Sequence, residues 1–330
     1  MKHTTDPDAY FEDTEFDLSN SNKKPSSKAF RRGKQDRVKF LAELASHTTK
    51  VQEEMHAGFV PTFSPSEHER GWILNGLEEF YNGQVITDVL SKVKGGKEAN
   101  VYCCSAHPST GLALIAAKIY RPRMFRNLRN DARYRQGREM VDENGKVSHA
   151  RREDLAMRKN TRFGKELRHI SWLEAEYQTL TMLYTAGADV PKPLAHGGNV
   201  ILMEFVGEHA IPAPTLQQVS LTRSEARVIF NRLIENLSIL LGCHRVHADL
   251  SAYNVLYWAG AFKIIDFPQA VDPRRNPDAK ELFSRDVERL CQYFNRYGFS
   301  LDAPEIANGL WEKYQFTNAL DAGYEESDDE

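Results

Sequence analysis

The chain has 330 residues and a mass of 37.7 kDa, enough for one two-lobed domain or two small ones. With 41% hydrophobic and 27% charged residues it is composed like a globular protein, which excludes a wholly disordered or collagen-like chain. A mean hydropathy of -0.55, with no apolar run near the ~18 residues a spanning helix needs, argues against a membrane segment, and the net charge of -3 hides a strong segregation along the chain.

The first 20 residues carry six acids and one lysine, without the apolar stretch of a secretory signal. Residues 1–28 are polar, with Ser and Asn clusters, and read as disordered. Phe30 to Leu44 reads as a helix with a basic start (Arg31, Arg32, Lys34, Arg37, Lys39), and the chain breaks at Thr62–Pro65. Residues 1–70 are therefore expected to be an N-terminal extension.

From Val85 the pattern becomes strand-like. Val85 to Val93, Asn100 to Ser105 and Leu112 to Tyr120 read as three strands, with turns at Gly95-Gly96 and at Pro108–Gly111. Adjacent Cys103 and Cys104 should point to opposite sides of their strand, and Cys243 and Cys291 stand alone. With no CxxC the four cysteines suggest neither a disulfide frame nor a zinc site, so a reducing, cytoplasmic setting is expected.

A basic, loop-like segment follows. Between Lys118 and Arg168 there are sixteen Lys and Arg against seven Asp and Glu. This suits either a solvated loop or an anionic partner such as nucleic acid. Ser171 with Glu174 three residues on predicts the start of a helix through Leu180 and Leu183 to near Gly187. Val200 to Phe205 is a short apolar strand. Thr222 with Glu225 predicts a second capped helix, with Ile229, Leu233, Leu237 and Leu240 at helical spacing. Val255–Trp258 and Phe262–Ile265 read as a hairpin, and Ser284 to Tyr297 as a last amphipathic helix. The sum is an α+β fold. A small sheet lobe (71–206, with the basic loop 121–168) precedes a helical lobe (207–320), and a tail (321–330) carries six acids.

Four motifs carry chemistry. His247-Ala248-Asp249-Leu250-Ser251-Ala252-Tyr253-Asn254 has the His-x-Asp-x4-Asn spacing of a kinase catalytic loop, which aims one carboxylate at a nucleophile and one amide oxygen at a metal. Alone it is also readable as a surface turn with Asp and Asn capping locally. Asp266 ends an apolar strand 17 residues after Asp249, across the hairpin, where a kinase keeps a second metal ligand, although Pro268 stands where glycine is usual. Lys118 at the end of its strand suits a phosphate-pairing lysine, or a snorkelling edge lysine. Of its two candidate carboxylate partners, Glu176 shares the helical face of Leu180 and Leu183, whereas Glu174 reads as the capping acid. Lys94-Gly95-Gly96-Lys97-Glu98-Ala99-Asn100-Val101 keeps only Gly96 and Val101 of a Gly-rich phosphate loop, but sits between the first two strands as such a loop should. No Ala-Pro-Glu follows Asp266, which leaves no long segment to hold a peptide.

Together these residues, over roughly 71–297, resemble the RIO family of atypical serine/threonine protein kinases and ATPases. The resemblance rests on Lys97-Glu98-Ala99-Asn100-Val101-Tyr102, on Trp172–Glu176, on His247–Asn254, and on Ile264-Ile265-Asp266 with Gln269 and Val271. With no clear winged-helix domain at the N-terminus, the chain is similar to the type lacking one, or to a bacterial member. The resemblance implies a two-lobed, reduced protein-kinase-like fold that binds ATP and Mg. Lys118 and Glu176 would position the phosphates, Asp249 would orient the nucleophile, and Asn254 and Asp266 would hold the metal. The loop from Lys94 to Val101 would surround the phosphates. Met203 would be the gatekeeper, and the backbone of Glu204 and Val206 would read the adenine. It also implies autophosphorylation, an aspartyl-phosphate at Asp266, and an ATPase switch in ribosome-related assembly. Two rival readings stand beside it. One is a small-molecule phosphotransferase of the aminoglycoside or choline type. The other is a ribosome- or RNA-binding factor that uses ATP only as a latch, through the basic segment 121–168.

Overall fold

The computed structural model describes residues 58–96, 98–120, 162–314 and 316. The expected helix Phe30–Leu44, Lys97, the basic segment as far as residue 161 and the acidic tail lie outside them. The first element is a helix, α1 (Glu67–Asn82), for which the sequence reading has no counterpart. Ser66 precedes it, and Glu67 and Glu69 sit in its first turn, where carboxylates oppose the helix dipole. Ile73, Leu74, Leu77 and Phe80 fall on one face and are buried.

The three expected strands form as β1 (Ile86–Gly95), β2 (Ala99–Ala106) and β3 (Leu114–Tyr120). They join β4 (Pro193–Gly197) and β5 (Val200–Glu204) in a five-stranded antiparallel sheet of order β1-β2-β3-β5-β4. The two-residue period of a strand decides which side chains meet what. Ile115, Ala117 and Ile119 of β3 pack with α1. Ala116 and Tyr120, of the opposite parity, lie in separate clusters on the other face, and Lys118 shares their parity. Strand geometry thus aims Lys118 away from α1.

The helix predicted to open at Ser171 begins nine residues earlier, as α2 (Arg162–Thr185). Ser171 is therefore inside the helix, and the capping reading of Glu174 is corrected. Glu174 is buried, accepts a hydrogen bond from Gln178 and lies 3.3 Å from His196 Nδ1.

A two-stranded ribbon, β6 (Gly207–Glu208) and β7 (Ile211–Pro212), follows β5. Gly207 has φ 145°, and a Cβ there would lie 2.2 Å from the Ile211 carbonyl oxygen, so only glycine fits this close turn. The second lobe packs α3 (Arg223–Gly242), the hairpin β8–β9 (Val255–Trp258, Ala261–Ile264), α4 (Ala279–Asn295) and α5 (Ala303–Glu312) around one core. The Thr222–Glu225 capping box forms as predicted, and Ile229, Leu233, Leu237 and Leu240 are all buried. Each such side chain contributes about 1.5–3 kcal/mol relative to exposure. α4 starts at Ala279, five residues before the expected Ser284. Among the described residues no helix is long and apolar enough to cross a membrane.

Candidate active site

One lysine of the sheet lobe reaches both α2 and the loop after β9. Lys118 Nζ is 2.8 Å from Glu176 Oε1 on α2 and 2.7 Å from Asp266 Oδ1, just beyond β9. Glu176 is buried, and its other oxygen accepts a hydrogen bond from the Tyr120 hydroxyl, so both carboxylate oxygens are fixed. Burial alone would lower the Lys118 pKa, but Asp266 and Glu176 outweigh it and hold the ammonium well above the ordinary lysine value. Reciprocally, the Lys118 charge pulls the Asp266 carboxyl below its usual range against the opposing effect of burial, with Lys94 adding a weaker positive contribution. Of the two glutamates open in the sequence, Glu176 is the one the lysine meets.

Two short loops carry the remaining residues and are tied to each other. The Ile265 N–H donates to the Asn254 carbonyl (2.9 Å), and His247 Nε2 lies 3.1 Å from the Ile265 carbonyl oxygen. His247 is buried, its pKa lowered by desolvation, and its ring lies against Phe267. Two residues that are not glycine, Ala248 (φ 67°) and Asp266 (φ 76°), hold left-handed backbone in these loops. Such strain persists only where surrounding bonds enforce it. At Ala248 those bonds come from α4. Asp286, fully buried, accepts the N–H groups of Ala248 (2.7 Å) and Leu250 (2.9 Å), while Arg285 donates to the Ala248 carbonyl. Burial pushes the Asp286 carboxyl up to about 7, against the pull of those two N–H donors.

Asp249, between the two braced amides, projects a half-exposed carboxylate whose Oδ1 accepts from Arg289 Nη1 of α4 at 2.8 Å. Asn254 is buried and donates its amide nitrogen to the Asp249 carbonyl at 2.9 Å, which leaves its side-chain oxygen as a ligand atom. With the Asp266 carboxylate this makes two hard oxygen donors. That set fits Mg, which takes one or two protein oxygens and completes its shell with water and phosphate. Among the described residues no group of three or more His, Cys, Asp or Glu could hold a metal.

The phosphate-loop candidates lie on β1, β2 and their turn. Lys94 pairs with Val101 and Gly95 with Asn100, and the Gly96 N–H closes the turn on the Ala99 carbonyl at 2.9 Å. A Cβ on Gly96 would sit 2.9 Å from that same oxygen. Glu98 lies in the turn and Ala99 is buried at the start of β2. Glu69 of α1, absent from the sequence candidates, grips this region. Its Oε1 accepts from Tyr102 Oη (2.6 Å) and Asn100 Nδ2 (3.3 Å) and lies 2.6 Å from Lys92 Nζ. At the other end of the cleft, Met203 touches three of the four hydrophobic clusters. The Glu204 side chain caps the Lys192 N–H. The Val206 carbonyl accepts from Ala213 at 2.9 Å, and among the described residues nothing accepts from the Val206 N–H.

A family model described as RIO domain matches residues 100–306. The chain is 29% identical over 230 residues to human serine/threonine-protein kinase RIO1, an alignment spanning 66% of this chain and 35% of that protein. It is 28% identical over 264 residues to rio1 of Schizosaccharomyces pombe (76% and 48%). To the RIO-type kinase Rio1 of Thermoplasma acidophilum it is 31% identical over 142 residues (43% and 73%). The chain thus spans less than half the length of the eukaryotic relatives it matches here. A solved structure of the Rio2 kinase–ADP/Mg2+–phosphoaspartate complex from Chaetomium thermophilum superimposes with a TM-score of 0.50 at 19% identity, covering 84% of this chain and 79% of that one. The likeness is one of fold: a two-lobed, kinase-like α+β architecture.

Proposed function

The chain belongs to the RIO domain family, and from that premise we propose that it is an ATP- and Mg-dependent atypical serine/threonine kinase or ATPase. The observation that carries the reading is the meeting of Lys118 with both Glu176 and Asp266, next to the loop of Asp249 and Asn254.

Lys118, fixed by Glu176, binds the α- and β-phosphate oxygens, and the loop Lys94–Val101 covers them with backbone N–H groups. The Val206 N–H, which no described residue accepts, and the Glu204 carbonyl read the adenine edge beside Met203. Asn254 and Asp266 would hold Mg, which would supply positive charge to offset that of the phosphoryl oxygens. Asp249 accepts a hydrogen bond from the attacking hydroxyl or water and sets it in line. Catalysis is then mainly positioning and electrostatics in a braced site. The relatives carry serine/threonine-kinase names, and the Rio2 complex holds ADP, Mg2+ and a phosphoaspartate. These support a phosphoryl acceptor that is a Ser or Thr hydroxyl, water, or the Asp266 carboxylate itself. The cysteines are free and three of the four are buried, which supports a reducing, cytoplasmic setting.

Incubation with γ-labelled ATP, with and without Mg, tests this reading by separating released phosphate from labelled protein. Mg-dependent product of either kind is expected. Label that survives acid marks Ser or Thr, and label lost to hydroxylamine marks an acyl-phosphate, assigned to Asp266 if it is absent from Asp266→Asn. No product under any condition overturns the reading.

The positive excess between Lys118 and Arg168 favours an additional reading, binding of RNA or a ribosomal particle. Steep loss of such binding with added salt is expected, and salt-insensitive or absent binding contradicts it.

A further inference from the structure

Helix α4 contributes three side chains to the loop that carries Asp249, and only two of them act on its backbone. Asp286 spends both oxygens on the Ala248 and Leu250 N–H groups, and Arg285 donates to the Ala248 carbonyl. The third, Arg289, is one turn further on, on the same face as Asp286. It reaches past the backbone to the Asp249 carboxylate itself, 2.8 Å from Oδ1. At the helical spacings that bring side chains together its helix offers no free acid: Arg285 and Tyr293 stand four residues to either side, Gln292 three after, and Asp286, three before, is already engaged, while Glu288 accepts from Gln292. The loop from His247 to Asn254 contains no lysine or arginine. Among the described residues Arg289 is thus the cation that touches the Asp249 carboxylate, and the carboxylate is 44% exposed, open enough to sample several rotamers unless held.

We propose that Arg289 is a positioning residue that fixes the Asp249 carboxylate in the orientation that receives the phosphoryl acceptor. The proposal rests on the reading of Asp249 as the group that orients that acceptor. The guanidinium occupies Oδ1 and leaves Oδ2 facing the acceptor. A planar, permanently charged fork imposes direction as well as charge on a carboxylate, which a flexible ammonium does less well. The pair is part-exposed, so its contribution is to geometry rather than to folding stability.

The test compares Arg289→Ala, Arg289→Lys and Asp249→Asn with the wild-type chain in Mg-ATP turnover, with the thermal midpoint of each recorded. Arg289→Ala is expected to lower kcat by roughly 10- to 100-fold, the scale of a misplaced catalytic group, with KM for ATP within about two-fold of wild type. Arg289→Lys recovers part of that loss, and the thermal midpoints stay together. An Arg289→Ala enzyme with wild-type kcat overturns the proposal. So does a loss confined to KM, or a loss that follows a lowered midpoint and that lysine does not restore. If Asp249→Asn is inactive while Arg289→Ala is normal, only this inference fails. If Asp249→Asn turns over normally, the underlying reading of Asp249 fails instead.

Discussion

Lys118 and Asp266 are 148 residues apart in sequence and 2.7 Å apart in space, and their ion pair joins the sheet lobe to the loop after β9. Glu176, buried on α2, completes a carboxylate–ammonium–carboxylate chain across the cleft. One cation between two carboxylates stays charged and leaves the cluster one negative charge in excess, which suits a site that also takes a divalent cation.

Lys118→Met leaves the buried Glu176 carboxylate without its cation and removes the charge that would meet the phosphates. ATP turnover is expected to fall roughly 100-fold or more, the scale seen when one preorganised donor to developing charge is lost. A steady-state ATPase or autophosphorylation assay checks it. A loss of less than a few-fold would mean that the lysine serves the fold alone.

Glu69 reaches the phosphate-loop strand from the other side of the sheet, through Tyr102, Asn100 and Lys92. Removing its carboxylate in Glu69→Ala takes away charge-assisted hydrogen bonds of about 1–2 kcal/mol, a factor of roughly 5–30. The expected outcome is a rise of that size in the KM for ATP, with a smaller change in kcat, if the loop covers the nucleotide rather than the acceptor as proposed. Nucleotide affinity measured by calorimetry should move in parallel. Unchanged affinity would remove Glu69 from the account.

Asp286 predicts a dependence of stability on pH. Burial raises its carboxyl to about 7 in the folded chain, from the ordinary aspartate value of about 3.9. Between those values the folded state binds a proton that the unfolded state does not. This group therefore makes the fold less stable as pH rises from about 4 to about 7, with no further effect above that range. The slope is at most ~1.4 kcal/mol per pH unit. Urea unfolding of the wild type and of Asp286→Asn at pH 5, 6, 7 and 8 reads the difference between them. The wild type should lose ground to the variant by about 1 kcal/mol or more from pH 5 to 7 and then level off. A difference that is flat, or that grows in favour of the wild type, contradicts the assignment.

Much of the site is legible in the sequence because its chemistry lies in contiguous loops. His247–Asn254 and Ile264–Asp266 keep their spacing without any knowledge of the fold. Lys118 is marked by its place at the end of an apolar strand, and the Thr222–Glu225 cap by the three-residue spacing of its two side chains. Glu174 misleads for a physical reason: Ser-x-x-Glu marks a helix start only where something stops the helix before it. Nothing from Lys165 to Ile170 does so, and α2 runs through. β4 is hidden by Pro191, Pro193 and the Gly197-Gly198 pair, which read as a loop. It is an edge strand, where proline is tolerated. Asp286 and Arg289 belong to no motif, yet Asp286 leaves a signal. It interrupts the buried face Leu282, Phe283, Val287 and Leu290 of an amphipathic helix, and a carboxylate at a core position must have partners. Glu69 carries no such mark, since the polar first turn of α1 gives it the look of a dipole-favoured surface acid.

The measurement that bears most directly on the central claim is a single-turnover reaction of γ-labelled Mg-ATP with the wild-type chain and with Asp249→Asn, alongside nucleotide binding to both. The account predicts that the wild type transfers or releases the γ-phosphate, while the variant binds nucleotide with similar affinity and leaves it intact. Equal rates in the two proteins would contradict it.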